Sequence, residues 1–145
     1  MKKLIIFLFM VLITSSACAD DNAGNNNQME NTSVIITVNG KEFNAVFYNN
    51  ETANAFINMM PLTLNMNELN GNEKYYNLSA TLPVNSERVG SIKKGDIMLY
   101  GSNCIVIFYE SFNTPYSYTK IGYIENTDNL SSALGSGSVS VTFNK

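Results

Sequence analysis

Apolar residues at every second position dominate the chain from residue 33 onward, and this pattern restricts it to β-strands paired in sheets. The alternating apolar positions around residues 39 and 40 are Val34, Ile36 and Val38, then Phe43, Ala45 and Phe47. Successive side chains of a strand point to opposite faces, so each segment has one apolar face. Asn39 and Gly40 between them are typical of a two-residue hairpin turn. The pattern therefore predicts a hairpin at the start of the domain.

One segment changes to the period of a helix. Its apolar residues, at i, i+3, i+4 and i+7, are Ala53, Phe56, Ile57 and Met60. Asn49 or Asn50 can cap the first turn, and Pro61 ends the segment. We therefore expect one helix that packs on the sheet.

Period-two segments resume after the helix. The predicted strands cover residues 62–66, 73–78, 96–100, 104–109, 118–125 and 139–143. Asn70 and Gly71 form a turn, and residues 128–134 form a second short helix that ends at Gly135. The segment 104–109 is apolar on both faces, which is typical of a central strand. About seven strands with one or two short helices, and edges that need closing, predict a mainly β fold built as a closed barrel.

A long loop is predicted from residue 80 to residue 94, where Pro83 and Gly90 occur and apolar residues are few. Long ordered loops in small domains often line binding sites, so this loop is a functional candidate.

The N-terminal residues predict export. Lys2 and Lys3 precede an apolar run, residues 4–13, that is long enough for a signal peptide and too short to span a bilayer. Residues 18–32 are polar and Asn-rich, so they are predicted to be a flexible tether. The expected organisation is a signal peptide (1–17), a tether (18–32) and one barrel domain (33–145).

Two cleavage sites are compatible with this segment. Ser15, Ser16 and Ala17 before Cys18 resemble a lipoprotein box, in which the cysteine is lipidated and becomes the N-terminus. Cleavage after Ala19 would instead release a chain without an anchor. We favour lipidation of Cys18, because a cysteine, a tether and a domain in this order are the usual arrangement of lipoproteins. The expected location is the cell envelope, at the outer membrane or surface; the alternative is a periplasmic or secreted protein.

Composition excludes several classes of activity. The net charge of −3 comes without any basic cluster, which argues against nucleic acid as a partner. The chain has no histidine, so Ser-His-Asp triads, Cys-His pairs and histidine zinc sites are impossible. Cys104 lies in an apolar strand and is expected to be a buried hydrophobe. Glu73 and Asp96 could act as an acid and a base, but the sequence does not give their separation, so we do not pair them. We therefore predict no catalytic residue, no metal and no cofactor.

Several longer motifs carry a resemblance. They are MMPLTL (59–64), ELNGNEKY (68–75), the long run 87–109 that contains ERVGSIKKGDIMLYGSNCIVIFY, and SFNTPYSYTKIG (111–122). Together they resemble a bacterial cyclophilin-like domain family of uncharacterised proteins. The resemblance implies a closed barrel of about eight strands with helices over its ends, and it implies no established activity.

Prolyl isomerisation is the activity of true cyclophilins, in which an arginine on the barrel face is surrounded by aromatic residues, glutamine and histidine. This chain has no histidine or tryptophan, and Arg88 is its only arginine. Arg88 also lies in a different sequence context. A divergent isomerase is therefore an alternative and not the preferred function.

An aromatic set with one cation is the remaining candidate for a site. Tyrosine rings can stack on a ligand while their hydroxyl groups orient it, and the fork of donors on Arg88 could hold a carboxylate or a carbonyl. The candidate ligand-binding residues are Arg88, Tyr75, Tyr100, Phe112, Tyr116 and Tyr118. The alternative is that these rings only pack the barrel ends. The preferred function is an exported binding module for a small molecule or peptide, attached to the membrane by its lipid. A structural accessory domain of the envelope is the third alternative.

Overall fold

The computed structural model describes residues 30–145. The strands, in chain order, are β1 (Thr32–Val38), β2 (Lys41–Phe47), β3 (Leu62–Leu69), β4 (Glu73–Asn77), β5 (Glu87–Arg88), β6 (Ser91–Ile92), β7 (Asp96–Tyr100), β8 (Cys104–Phe108), β9 (Phe112–Asn113), β10 (Ser117–Ile124) and β11 (Val139–Asn144). The helices are α1 (Glu51–Ile57) and α2 (Leu130–Leu134). Cys18, the predicted signal peptide and nearly all of the predicted tether lie outside the described residues.

Antiparallel pairing closes the sheet into a barrel of eight strands. The order around it is β2, β1, β11, β3, β4, β8, β7 and β10, and β10 returns to pair with β2. Close to this closure, the register of β10 against its other neighbour, β7, shifts between Lys120 and Gly122. A Cβ atom on Gly122 would collide with the backbone oxygen of Val46, so glycine allows β10 and β2 to approach. The predicted mainly β closed barrel is confirmed.

Local sequence signals produce the expected hairpin and helix. Asn39 and Gly40 both have positive φ, 50° and 75°, as a two-residue hairpin turn requires. Asn50 is the N-cap of α1, and its side-chain oxygen accepts a hydrogen bond of 2.8 Å from the Ala53 N–H. Phe56 of this helix is buried in the barrel core.

The barrel wall carries apolar residues on both faces along β8 and its neighbours. Inside, Ile97, Leu99, Ile105 and Ile107 belong to the main core. Outside, a second cluster contains the buried residues Ile92, Met98, Val106, Phe108 and Tyr118. β8 lies between β4 and β7, as its two apolar faces predict. An outer apolar face must be covered, and the cover comes from short segments near β6 and β9.

A buried ion pair joins the β3–β4 hairpin to the segment after α2. Lys74 is fully buried, and its Nζ donates to a carboxylate oxygen of Glu68 and to the carbonyl oxygens of Gly135 and Gly137. The Tyr109 hydroxyl donates to the other oxygen of Glu68 at 2.6 Å. A charge buried inside the barrel wall is unfavourable unless it has partners, and these four contacts provide them for Lys74 and Glu68.

Two expectations differ from the observed fold. The predicted loop 80–94 contains two short strands, because β5 pairs with β10 and β6 pairs with β9. Cys104 is only partly buried, and it packs against the outer cluster and not within the barrel core. It differs because the first residue of β8 faces outward, where the cover is incomplete. Within residues 30–145, no helix has the length and apolar character that crossing a membrane requires.

Candidate functional site

A groove lies on the outer face of the barrel, where the apolar surface of β4 and β8 is left uncovered. Its volume is about 960 Å³, within the range of ligand-binding clefts. Tyr75, Cys104 and Val106 supply its floor from the outward positions of these two strands. Leu69, Asn70 and Asn72, at and after the end of β3, and the turn 101–103 border it, and residues 112–116 form a wall. The groove exists because a sheet with two apolar faces is covered along only part of its outer face.

The wall formed by residues 112–116 is fixed by contacts with the segment around β6. Phe112 pairs with Ile92, and the Thr114 N–H donates to the carbonyl oxygen of Gly90 at 3.0 Å. The Tyr116 N–H donates to the Thr114 hydroxyl at 3.2 Å. These bonds satisfy backbone groups that a free loop would leave to water, so the wall is ordered next to the groove.

Aromatic rings form a continuous chain along this wall. The centroid of Tyr100 lies 6.2 Å from that of Tyr116, in an edge contact, and 5.6 Å from that of Tyr118. Phe108 continues the chain, 5.5 Å from Tyr118 and 5.7 Å from Phe112. Tyr118 is buried, whereas Tyr100 and Tyr116 are 48% and 59% exposed. The buried Tyr118 supports Tyr100, and the two exposed rings offer surfaces for stacking.

Glu73 is the one charged side chain among the described residues that line the groove. It is partly buried, and neither an ion pair nor a hydrogen bond reaches its carboxylate from residues 30–145. Burial raises the pKa of Glu73, and the charge of Glu68 raises it further. Burial also raises the pKa values of Cys104 and Tyr118, with the charge of Glu73 as the next cause for each. The field of this carboxylate therefore reaches across the groove.

Amide side chains surround the aromatic surface. Asn70, Asn77 and Asn113 are exposed at the border, and each carries both donors and an acceptor. Asn72 also lines the groove, and its Oδ1 is buried without a hydrogen-bond partner in the described part of the chain. An apolar surface with polar groups at its margin is the usual composition of a binding site.

The predicted aromatic residues come together in this groove. Tyr75, Tyr100, Phe112, Tyr116 and Tyr118 all line it. They lie on the outer face of the barrel and not at its ends. Sequence reasoning did not assign Glu73 or Cys104 to this set. Their alternation with Tyr75 and Val106 in adjacent strands is the signal that could have found them.

Arg88 lies apart from the aromatic set. It is exposed in β5, where it pairs with Ser117, and it is not among the residues that line the groove. The predicted loop 80–94 contributes no lining residue either. Residues directly opposite in an antiparallel pair share a face of the sheet, so Arg88 is on the face of Ser117, opposite to that of Tyr118.

Asp96 also lies outside the groove. Its carboxylate accepts a hydrogen bond of 2.8 Å from the Lys93 N–H, and it lines a separate cavity. Glu73 and Asp96 therefore do not share a cavity as an acid and base pair would. Within residues 30–145, no three metal-ligating side chains form a group that could hold a metal ion.

Comparison with known proteins identifies the family. Residues 36–144 match the model of the Cyclophilin-like family, a range that contains β2 to β11 in full and the last three residues of β1. Neither the comparison with curated proteins nor that with solved structures found a match. The match includes every residue that lines the groove, and the chain belongs to the Cyclophilin-like family.

Proposed function

We propose that this protein is an exported, lipid-anchored binding module that takes a small ligand or a short peptide in the aromatic groove. The observation that carries the proposal is the groove itself, about 960 Å³ in volume, with five aromatic side chains around it. Tyr100 and Tyr116 have large exposed areas; Tyr100 packs against the buried Tyr118, and Tyr116 packs against Tyr100. Ordered, exposed aromatic surface in a concave site is the common basis of ligand recognition.

Attachment to the envelope is the second part of the proposal. The apolar run at residues 4–13 and the small residues before Cys18 support export and lipidation. The tether 18–32 could then separate the barrel from the membrane surface. A flexible chain of this composition has a root-mean-square length of about 5–6 Å multiplied by the square root of its residue number. The groove would thus face the solvent outside the cytoplasm.

Replacement of Tyr116 by alanine is expected to weaken ligand binding about tenfold, equivalent to about 1.4 kcal/mol. The ring is 59% exposed, so its loss should cost less than about 1 kcal/mol of folding stability. The experiment is a thermal-shift screen of small molecules and capped peptides, followed by titration of each hit against wild type and the Tyr116→Ala variant.

Tyr123 provides the matched control. It is a tyrosine of the same barrel, 36% exposed, whose ring packs against Tyr48 away from the groove. Tyr123→Ala should therefore leave every titration unchanged. Hits that bind the Tyr116→Ala variant as tightly as wild type would move the site elsewhere, and a screen without hits would contradict a binding role.

A further inference from the structure

We propose that the groove selects peptides that carry a lysine or arginine side chain, whose positive charge is held between Glu73 and the tyrosine rings. This inference rests on the proposed function and names its ligand class. The groove has one carboxylate, and no lysine or arginine lines it within the described residues. A ligand of opposite charge is the complement of such a site.

The surroundings of Glu73 explain why its carboxylate would bind a cation of the ligand and not water alone. The two ion pairs of residues 30–145 are Lys74 with Glu68 and Lys120 with Glu87, so Glu73 takes part in neither. Partial burial has removed part of its hydration without providing a protein partner. Ammonium and guanidinium groups have several donors and no acceptor, which suits the two oxygens of a carboxylate.

Aromatic rings favour the same charge. Tyr75 lies two residues after Glu73 in β4, on the same face of the strand. Tyr118 is also close to Glu73: burial is the main cause of its raised pKa, and the charge of Glu73 is the next cause. The faces of aromatic rings attract cations, most strongly where water is excluded. Lysine and arginine also have apolar stems that can lie along the floor at Val106 while their charged ends reach the carboxylate.

A peptide, and not a small amine, fits the rest of the groove. The volume of about 960 Å³ far exceeds that of one ammonium group. The exposed amides of Asn70, Asn77 and Asn113 can donate to and accept from main-chain amides of an extended segment. The expected occupant is therefore a short peptide segment with one cationic side chain at Glu73.

Capped peptides with a single varied central residue test the inference. The varied residues are lysine with its neutral counterpart norleucine, arginine with its neutral counterpart citrulline, and glutamate. Titration in low salt should give at least tenfold tighter binding for each cationic peptide than for its neutral counterpart. The difference should shrink at high salt because mobile ions screen the charge pair.

The Glu73→Gln variant assigns that difference to one carboxylate. Glutamine keeps the shape and removes the charge, so the variant should lose the tenfold preference for the cationic peptide over its neutral counterpart. Glu87→Gln, at an exposed carboxylate outside the groove, should keep the preference. Thermal melting verifies that both variants fold. Since burial disfavours the ionised form of Glu73, its neutral replacement should not lower the melting temperature.

Other outcomes distinguish this inference from the proposed function. Equal binding of neutral or acidic peptides, lost in Tyr116→Ala, would overturn the charge preference while the groove remained a site. Spermidine or lysine amide bound as tightly as the lysine peptide would overturn the peptide assignment. A preference that survives in Glu73→Gln would overturn the role of this carboxylate, and no binding by any of the peptides would overturn the inference as a whole.

Discussion

The Glu68→Ala variant is expected to lose about 3 kcal/mol of folding free energy. Lys74 is fully buried, and removal of Glu68 leaves its charge without a counter-ion. Loss of one partner of a buried ion pair costs about 3–5 kcal/mol. The lower end applies because the carbonyl oxygens of Gly135 and Gly137 still accept hydrogen bonds from Lys74. Urea denaturation of the purified protein measures the difference.

An exposed ion pair supplies the control for this variant. Glu87 and Lys120 are 3.0 Å apart, and their side chains are 57% and 50% exposed. Glu87→Ala should therefore cost less than about 1 kcal/mol. Equal losses in the two variants would contradict the account of a buried, structurally important pair. The Lys74→Met and Glu68→Gln double variant should recover part of the loss, because it contains no buried charge.

Low pH should remove the contribution that Glu68 makes to folding stability. Burial raises the pKa of Glu68, but hydrogen bonds from Lys74, Tyr109 and the Gly71 N–H, together with the charge of Lys74, lower it by more, so its pKa is below the ordinary value. A carboxyl group with a lowered folded pKa stabilises the fold fully above its unfolded pKa, about 4.3, and loses this contribution as pH falls through the folded value. The difference between wild type and Glu68→Ala should therefore narrow below about pH 4.

Replacement of Cys18 by alanine is expected to abolish lipid attachment completely. Each buried methylene contributes about 0.8 kcal/mol to membrane binding, and one acyl chain alone gives only marginal attachment, so stable anchoring requires more than one signal. Incorporation of labelled palmitate measures the modification directly, and membrane fractionation measures its consequence. Wild type should incorporate the label and sediment with membranes, and Cys18→Ala should not incorporate it.

The second cysteine is the control for this experiment. Cys104 is part of β8, so Cys104→Ala should keep both the label and the membrane location. Wild-type protein recovered without lipid and with Asp20 at its N-terminus would contradict the anchor. That result would favour cleavage after Ala19 instead.

Local signals explain why so much of the fold could be predicted. The hairpin at Asn39 and Gly40 depends on residues that tolerate positive φ, and this preference is a property of the residues themselves. The change from the period of a strand to that of a helix at α1 likewise depends on residues that are close in sequence. The small strands β5 and β6 were missed because each has two residues, too few for a periodic pattern. Their pairing depends on β10 and β9, which are distant in sequence.

The groove could be predicted only in part. The sequence indicated Tyr100 and Tyr116 as candidates because aromatic residues are frequent around them, and the structure brings both together with Tyr75. The position of Arg88 depends on the register of β5 against β10, which no short-range pattern reports. Cys104 looked buried because its strand is apolar, yet burial at the first residue of β8 depends on how far the wall at residues 112–116 extends. Long-range pairing therefore decides which residues share the site.

The position of a bound ligand tests the central claim most directly. Titration of the isotope-labelled protein with the lysine peptide, followed by NMR, locates the residues whose signals shift. The account predicts the largest shifts at Glu73, Tyr75, Cys104 and Tyr116, with alkylation of the Cys104 thiol slowed at saturation. Shifts centred instead on the cavity that contains Thr52, Pro83 and Lys120, which shares no lining residue with the groove, would contradict it.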